Sequence, residues 1–356
     1  MQISEITNPA EFEALRDEWN ALVDTCANPL LYMRHEWLWA WWQYYGQGKA
    51  LHVLCLRDGG RLKAGLPLIV DVMSLSGVLK FRCAHLAGQS VSAYQDAILA
   101  RGWEKKAFAG LLAHIGNAHP DWDVLYLRRL HPASVLLSLC ASSTLEGWHR
   151  VELPDRAISP FALLPKDSED ISQGLSKKVR QNLQRATKRL SDLGPLKLRV
   201  GDATSADRVS LDTFFHFHEA RWGQENLNRR GYQHYKPFIT QAFTDSLPSG
   251  TARLFTLTAG ETWLAGQLCW DHLGVRHSVM VAYNPDLREQ EPGNVMNLLA
   301  MQEAAQRGYA AFDFGEGEES YKYHFAAHAW RTRRLMLGRK RRKLRILACA
   351  ERLAHD

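Results

Sequence analysis

The sequence predicts an α/β (α+β) chain of two mixed, mostly antiparallel sheets flanked by helices. Three observations predict it. One order of elements runs twice along the chain: strand, two helices, three antiparallel strands, helix, strand, helix, strand. The stretch 275–325 reads as strand, Pro292-Gly293 turn, helix stopped by Gly308, strand at 309–314 and acidic loop. Such a parallel strand–helix–strand unit brings its loops to one sheet edge, where ligands bind. Finally, 356 residues that are 46% hydrophobic and 23% charged suit two globular domains better than one core.

Taken in order, residues 1–7 read as a short edge strand. Pro9 starts a helix with Phe12, Leu15, Trp19 and Leu22 on one face. Residues 34–45, RHEWLWAWWQYY, form a helix whose aromatic density suits core packing beneath a sheet better than substrate stacking. Residues 51–56 and 62–72 make a hairpin across Asp58-Gly59-Gly60. Strands follow at 78–86 and 97–100, a helix at 103–118, a strand at 122–127, a helix at 133–142 and a strand at 147–153. Residues 153–173, with Pro154, Pro160 and Pro165, read as the linker.

The helix at 175–193 has an apolar stripe of Leu175, Val179, Leu183, Leu190 and Leu193, and ends at Gly194-Pro195. The second half then gives a strand at 197–201, helices at 206–222 and 232–243, a hairpin of 252–257 with 262–271, and a strand at 275–283. The helix after Pro292 buries Val295, Leu298, Leu299 and Ala305, and a last strand covers 330–337. The expected domains are therefore 1–153 and 196–338. A linker and basic helix at 154–195 join them, and a basic amphipathic tail occupies 339–356.

The net charge of +6 is unevenly placed. Nine Lys/Arg and no acid lie between Arg331 and Arg345, so the rest of the chain is net −3. Six more lie between Lys177 and Arg189, which leaves −9. Two basic patches on a mildly acidic protein favour an anionic partner: a phosphate-bearing cofactor, nucleic acid or the cytoplasmic membrane face. The six scattered cysteines, with no CxxC, fit reduced thiols and neither a disulfide frame nor a zinc site. His216 and His218 lie two apart on a helix and do not share a face, so no metal is expected. No apolar run reaches a membrane span and no signal peptide is expected, which points to the cytoplasm.

Several segments, in order, resemble the cellulose-biosynthesis-type GNAT acetyltransferase family, which has two GNAT-like halves and is related to the FemAB peptidyltransferases. They are HEWLWAWWQYYG with LKAGLPLIV, the basic helix SKKVRQNLQRATKRL, FHEARW, and the C-terminal YNPDLREQEPGNVMNLLAMQEAAQRG with FDFGEGEESYKYHF. The resemblance implies a tandem GNAT-like acyltransferase fold with a degenerate N-terminal half; Gly88 in LAGQSVSAYQDA is in the wrong context for a phosphate cradle. It implies acetyl-CoA, or another acyl-CoA, as co-substrate, and a small-molecule or glycan-precursor acceptor in polysaccharide or cell-envelope synthesis. The alternatives are a FemAB-like aminoacyl or peptidyl transferase using charged tRNA, and a non-catalytic accessory protein of an exopolysaccharide complex.

The chemistry follows from the same residues. A helix start offers unpaired N–H groups and partial positive charge, so the amides of Gly293, Asn294, Val295 and Met296 could hold a pyrophosphate. Equally, Pro-Gly could simply start a helix. Backbone at Val281 to Tyr283 would polarise the thioester carbonyl. Asp313, facing away from Phe312 and Phe314, could serve as base or cap the loop amides; Glu316 could serve as base or be an exposed loop carboxylate. The resemblance nominates Tyr321 first, and Tyr323 second, to protonate the departing thiolate. Lys322 could bind cofactor phosphates or pair with Glu318 or Glu319. Arg221 and Trp222 could line the substrate cleft. The helix bearing Arg180 could be a strut, bind an anionic substrate or rest on membrane, and the basic tail could lie on lipid at the inner membrane face or in a partner groove. DNA is not an expected partner, since the basic helix lacks interleaved aromatics.

Overall fold

The structure is a computed structural model of the chain. It describes all residues except 76, 143–144, 166–169, 202–204, 224–225, 227, 229–230 and 354–356, and the side chains of 205–209 are likewise left aside. Parts of the expected linker, of the loop before residue 232 and of the tail lie outside the described residues.

The first half of the sequence contains β1 (Gln2–Ile6), α1 (Pro9–Glu13), α2 (Arg16–Thr25), α3 (His35–Tyr45), β2 (Ala50–Asp58), β3 (Arg61–Leu75), β4 (Leu79–Leu86), β5 (Ile98–Leu99), α4 (Glu104–Ala118), β6 (Val124–Leu130), α5 (Val135–Ser142) and β7 (His149–Leu163). Asn8 caps α1 by accepting the Ala10 N–H at 3.0 Å, with Pro9 in the first turn, where its missing N–H costs nothing. Trp37, Trp39 and Trp41 of α3 are core, and Trp42, Tyr44 and Tyr45 are partly buried. Trp37 and Trp41 are buried and donate to Ser92 and Ser90.

The second half contains α6 (Lys177–Ser191), β8 (Leu196–Val200), α7 (Ser205–Trp222), α8 (Tyr232–Ser246), β9 (Ala252–Ala259), β10 (Thr262–His272), β11 (Val275–Tyr283), α9 (Pro292–Gln306), β12 (Ala311–Asp313), β13 (His328–Gly338) and α10 (Arg341–Leu353). Ser176 caps α6 by accepting the Val179 N–H. The apolar stripe of α6 ends at Leu190, because the helix stops at Ser191 and leaves Leu193 exposed. Gly308, at φ 75°, stops α9 in the left-handed region. Within α9, Leu298 and Leu299 are only partly buried, while Met296, Ala300, Met301 and Ala304 join Val295 and Ala305 in the core.

The chain divides into two compact units, Met1–Ala157 with Trp330–Asp356, and Ile158–Ala329. In the first unit the strand order is β1-β2-β3-β4-β6-β13. Only β4–β6 is parallel; every other pair in it is antiparallel. In the second the order is β8-β9-β10-β11-β12-β7, and only β11–β12 is parallel. The repeated order read from the sequence is thus a repeated pairing order.

Two boundaries differ from the expectation. Residues 153–163 are not linker but part of β7, which alternates exposed and buried from Glu152 to Ala157. Its prolines lack donors, but their carbonyls are used: Arg334 Nε donates to Pro154 O at 2.9 Å and Phe314 N to Pro160 O at 3.0 Å. The second difference is an exchange of closing strands. The last strand of the first half ends beside β12, at Phe161–Leu163, and β13, read as part of the C-terminal domain, pairs with β6.

The tail also departs from its reading as a lipid-lying helix. Its apolar stripe, Leu344, Leu347 and Ala348, is already buried against Phe81, Val124, Tyr126 and Met336. Lys343 donates to Asp123 at 2.7 Å, and Glu351 accepts from Arg334 at 2.9 Å. What remains exposed is a basic face with Ile346 and Leu353. Leu347→Ala is expected to destabilise the first unit by about 2–5 kcal/mol, since the cavity left beneath the helix cannot fully collapse; urea unfolding checks it. No helix among the described residues is long and apolar enough to cross a membrane.

Candidate active site

Strand β11 positions one wall of the site. It pairs with β12 only from Val275 to His277, then runs on to Tyr283 without it. Its pairing with β10 slips by one residue at Leu268/Cys269, a bulge that bends the strand. Beyond His277 the two strands therefore no longer pair. Val281 and Tyr283 line a cavity of about 330 Å³, with Arg221, Arg288, Glu291, Pro292, Gly293, Asn294, Asn297 and Tyr321. That volume falls at the lower end of small-molecule sites.

The start of α9 forms the second wall. Gly293 packs against Tyr283: a Cβ there would meet the ring at 3.3 Å. The guanidinium of Arg221 lies 4.5 Å over the other partner of that stack, the Tyr283 ring, and 5.0 Å over Trp222. Glu291 takes φ 56°, the left-handed region, in a non-glycine residue on the cavity wall. The four amides nominated from the sequence are not equivalent. Asn294 and Val295 both donate to the Glu291 carbonyl, at 3.1 and 3.3 Å. Met296 lies a turn inside the helix, and the Val295 and Met296 side chains are core. Gly293 alone of the four precedes the first helical bond. The Asn294, Val295 and Met296 amides are therefore taken by the helix, which leaves the Gly293 amide, and Asn294 only as a residue of the cavity wall.

Beneath the wall lies a buried amide network that sequence reasoning missed. Gln267 Nε2 donates to Ser278 Oγ at 2.6 Å and to Asn297 Oδ1 at 3.0 Å, and Asn297 reaches the cavity. Asn297 was findable: it sits four residues after Gly293, on the same helix face. Arg288 and Glu291 carry no such signal.

The third wall is Tyr321, placed by its neighbour. Lys322 is buried, and its Nζ donates to Gly315 O at 3.3 Å and Glu316 O at 2.6 Å and pairs with Glu319 at 3.0 Å. It fastens the acidic loop and is not a cofactor ligand, a correction that the three partners explain. With Lys322 turned inward, Tyr321 faces the cavity, whereas Tyr323 is exposed and donates to Glu318 at 3.4 Å. Burial pushes the Tyr321 phenol up to about 12; Glu319 adds to the shift and Arg221 opposes it. It is a protonated donor at neutral pH.

The two carboxylates nominated as base are not on the cavity wall. Asp313 Oδ1 accepts the Gly315 N–H at 2.7 Å, and Oδ2 lies 3.4 Å from His277 Nδ1. It is the loop cap that the sequence allowed as its alternative. Glu316 is exposed. The carboxylate lining the cavity is Glu291. Arg180 donates to Gln173 O at 3.4 Å and does not line the cavity; Trp222 lies behind Arg221. His218 is buried and His216 exposed, on opposite faces as expected.

Fold and site together are those of a mixed α/β protein with a cavity at the end of β11. Residues 177–323 match the model of the family described as Acetyltransferase (GNAT) domain, and every residue lining the cavity lies within that match. No curated protein matches the chain. Among solved structures it is similar to FemX, at 12% identity and TM-score 0.59 over 96% of each chain. It is similar to a conserved protein of unknown function from Bacteroides thetaiotaomicron, at 11% identity and TM-score 0.54, over 95% of this chain and all of that one. It also resembles the C-terminal domain of a protein named as a lysylphosphatidylglycerol synthetase of Agrobacterium fabrum, at 12% identity and TM-score 0.53, over 93% and 92%. At such identities the likeness is one of fold.

Proposed function

We propose that the chain is an acyltransferase that takes its acyl group from acyl-CoA in the cavity between β11, the start of α9 and Tyr321. The observation that carries this reading is that one cavity is lined by a strand end, a glycine at a helix start and a phenol that stays protonated. The acceptor amine or hydroxyl attacks the thioester carbon. Backbone at Val281–Tyr283 polarises the carbonyl, the carbon–sulfur bond breaks, and Tyr321 gives its proton to the departing thiolate. In this proposal Glu291 takes the base role assigned on sequence to Asp313 or Glu316, and Arg288 and the Gly293 amide face the cofactor phosphates. The sequence motifs extend the proposal to a glycan-precursor acceptor in cellulose or other polysaccharide synthesis.

The test is thermal shift against acetyl-CoA. A ligand at a hundred times its dissociation constant stabilises by about 2.7 kcal/mol. Wild type is expected to shift upward and Gly293→Glu is expected not to, because the new carboxylate fills the space against Tyr283 and repels phosphate. No shift with wild type would overturn the reading. A second reading, aminoacyl transfer from charged tRNA, is favoured by one observation: Lys177, Lys178, Arg185, Lys188 and Arg189 leave an exposed basic face on α6. It predicts a shift with aminoacyl-tRNA and none with acetyl-CoA.

A further inference from the structure

In the first unit, far along the sequence from the cavity residues, three imidazoles converge on one carboxylate. Glu5 on β1 is paired with Leu54 on β2, so it shares a sheet face with His52, two residues away. Helix α4 covers that face: a Cβ on Gly110 would lie 3.3 Å from Leu56 and 3.6 Å from Ile3. His114 follows Gly110 by one helical turn, and His119 is the C-cap of the same helix. The result is specific. His119 Nε2 lies 3.0 and 2.9 Å from the two Glu5 oxygens, His52 Nδ1 contacts Glu5 Oε1, and His114 Nε2 lies 3.5 Å from Glu5 Oε2. The ligand atoms of Glu5, His52 and His119 are all within 4.8 Å of one another. The His114 Nε2 atom is buried without a hydrogen-bond partner. Trp122 stacks on His119 at 3.9 Å and meets His52 edge-on at 5.0 Å, closing one side.

We propose that Glu5, His52, His114 and His119 form a structural site for a divalent transition-metal ion, zinc being the best match. Imidazole suits zinc, cobalt and nickel, whereas magnesium and calcium want oxygen ligands. Zinc bonds of 2.0–2.2 Å in a tetrahedron separate ligand atoms by about 3.3 Å. The Glu5–His119 and Glu5–His114 separations lie on either side of that value; Glu5, His52 and His119 are already gathered around one point, and His114, outside that trio, swings in as the fourth ligand. Four protein ligands leave no open position, which makes the site structural. It would fasten the edge strand β1 and the end of α4 to β2. Reading cysteines and the His216/His218 pair could not find it, because its ligands are spread over more than a hundred residues of sequence.

The experiment uses the full chain, stripped with chelator. Zinc is titrated calorimetrically and cobalt by its visible ligand-field bands. One equivalent is expected, with the bands of tetrahedral cobalt and no competition from magnesium. His52→Gln and His119→Gln should each weaken binding by more than the roughly 10–100-fold lost with an outer-shell partner. Absence of saturable binding in wild type, or its survival in the double variant, overturns the site. Should the variants fail to fold by circular dichroism, an anomalous difference peak in zinc-soaked wild-type crystals decides: among these four side chains it supports the site, elsewhere or absent it refutes it.

Discussion

Arg276→Met is expected to destabilise the second unit by about 3–5 kcal/mol, the usual cost of breaking a buried ion pair by removing one partner. Arg276 has no exposed surface. Its Nε and Nη2 bind the two Asp271 oxygens at 2.7 and 2.8 Å, and its Nη1 binds Ala300 O at 2.9 Å and also reaches Glu303. The guanidinium lies 4.7 Å over the Phe255 ring. The pair therefore ties the β10–β11 hairpin to the middle of α9, whose first turn is the cavity wall. Methionine would fill the volume but take the two-pronged partner from Asp271, leaving it, among the described residues, Arg253 at 2.6 Å and the Tyr309 hydroxyl at 3.1 Å.

The pH dependence carries a sign. Burial opposes ionisation of Asp271, but hydrogen bonds and charge from Arg276 and Arg253 outweigh it and hold the carboxyl below its ordinary value. A depressed carboxylate contributes stability above its unfolded value of about 3.9 and loses it as pH falls through the folded one. The gap between wild type and Arg276→Met should therefore be full at neutral pH and shrink below about pH 4. Urea unfolding at both pH values checks it. A gap that is constant with pH would mean that lost packing, not lost charge, carries the effect.

How far the sequence revealed this molecule depends on the range of the signal. Local periodicity and turn chemistry placed the hairpins, the parallel β11–α9–β12 unit and Gly308, because each is set by neighbours in sequence. The exchange of β7 and β13 has no local signal: strand partners are chosen by register over long range, and prolines 154 and 160 look like linker punctuation even where only their carbonyls are used. The cavity shows the same division. Gly293 and Tyr283 are legible as ends of elements, and Tyr321 only through the family resemblance. Asp313 and Lys322 were nominated for chemistry, yet the acidic loop consumes both, since a Gly-flanked loop needs a cap and a cation to hold its shape. Alternation showed which way Asp313 points; it could not show that Gly315 N–H waits there.

Under the proposed acyl transfer, Tyr321→Phe is expected to lower kcat by about 10²–10⁴-fold with acyl-CoA affinity little changed, the range for loss of a positioned general acid. The argument begins with Lys322. Its ammonium is drawn inward by two loop carbonyls and Glu319, and that fixes the adjacent residue outward into the cavity. Burial, reinforced by the charge of Glu319 and opposed by that of Arg221, holds the phenol's proton well above neutral pH. A group so placed is useless as a base and suited to meet a thiolate only as it forms. The loss should therefore appear in kcat rather than KM, and no alkaline limb from Tyr321 should cut the pH profile near neutrality. Tyr323→Phe is the control: its hydroxyl faces Glu318 on the surface, and its removal should leave turnover unchanged. Equal losses in the two variants, or a Tyr321→Phe effect confined to KM, would show that Tyr321 shapes the cavity without donating a proton.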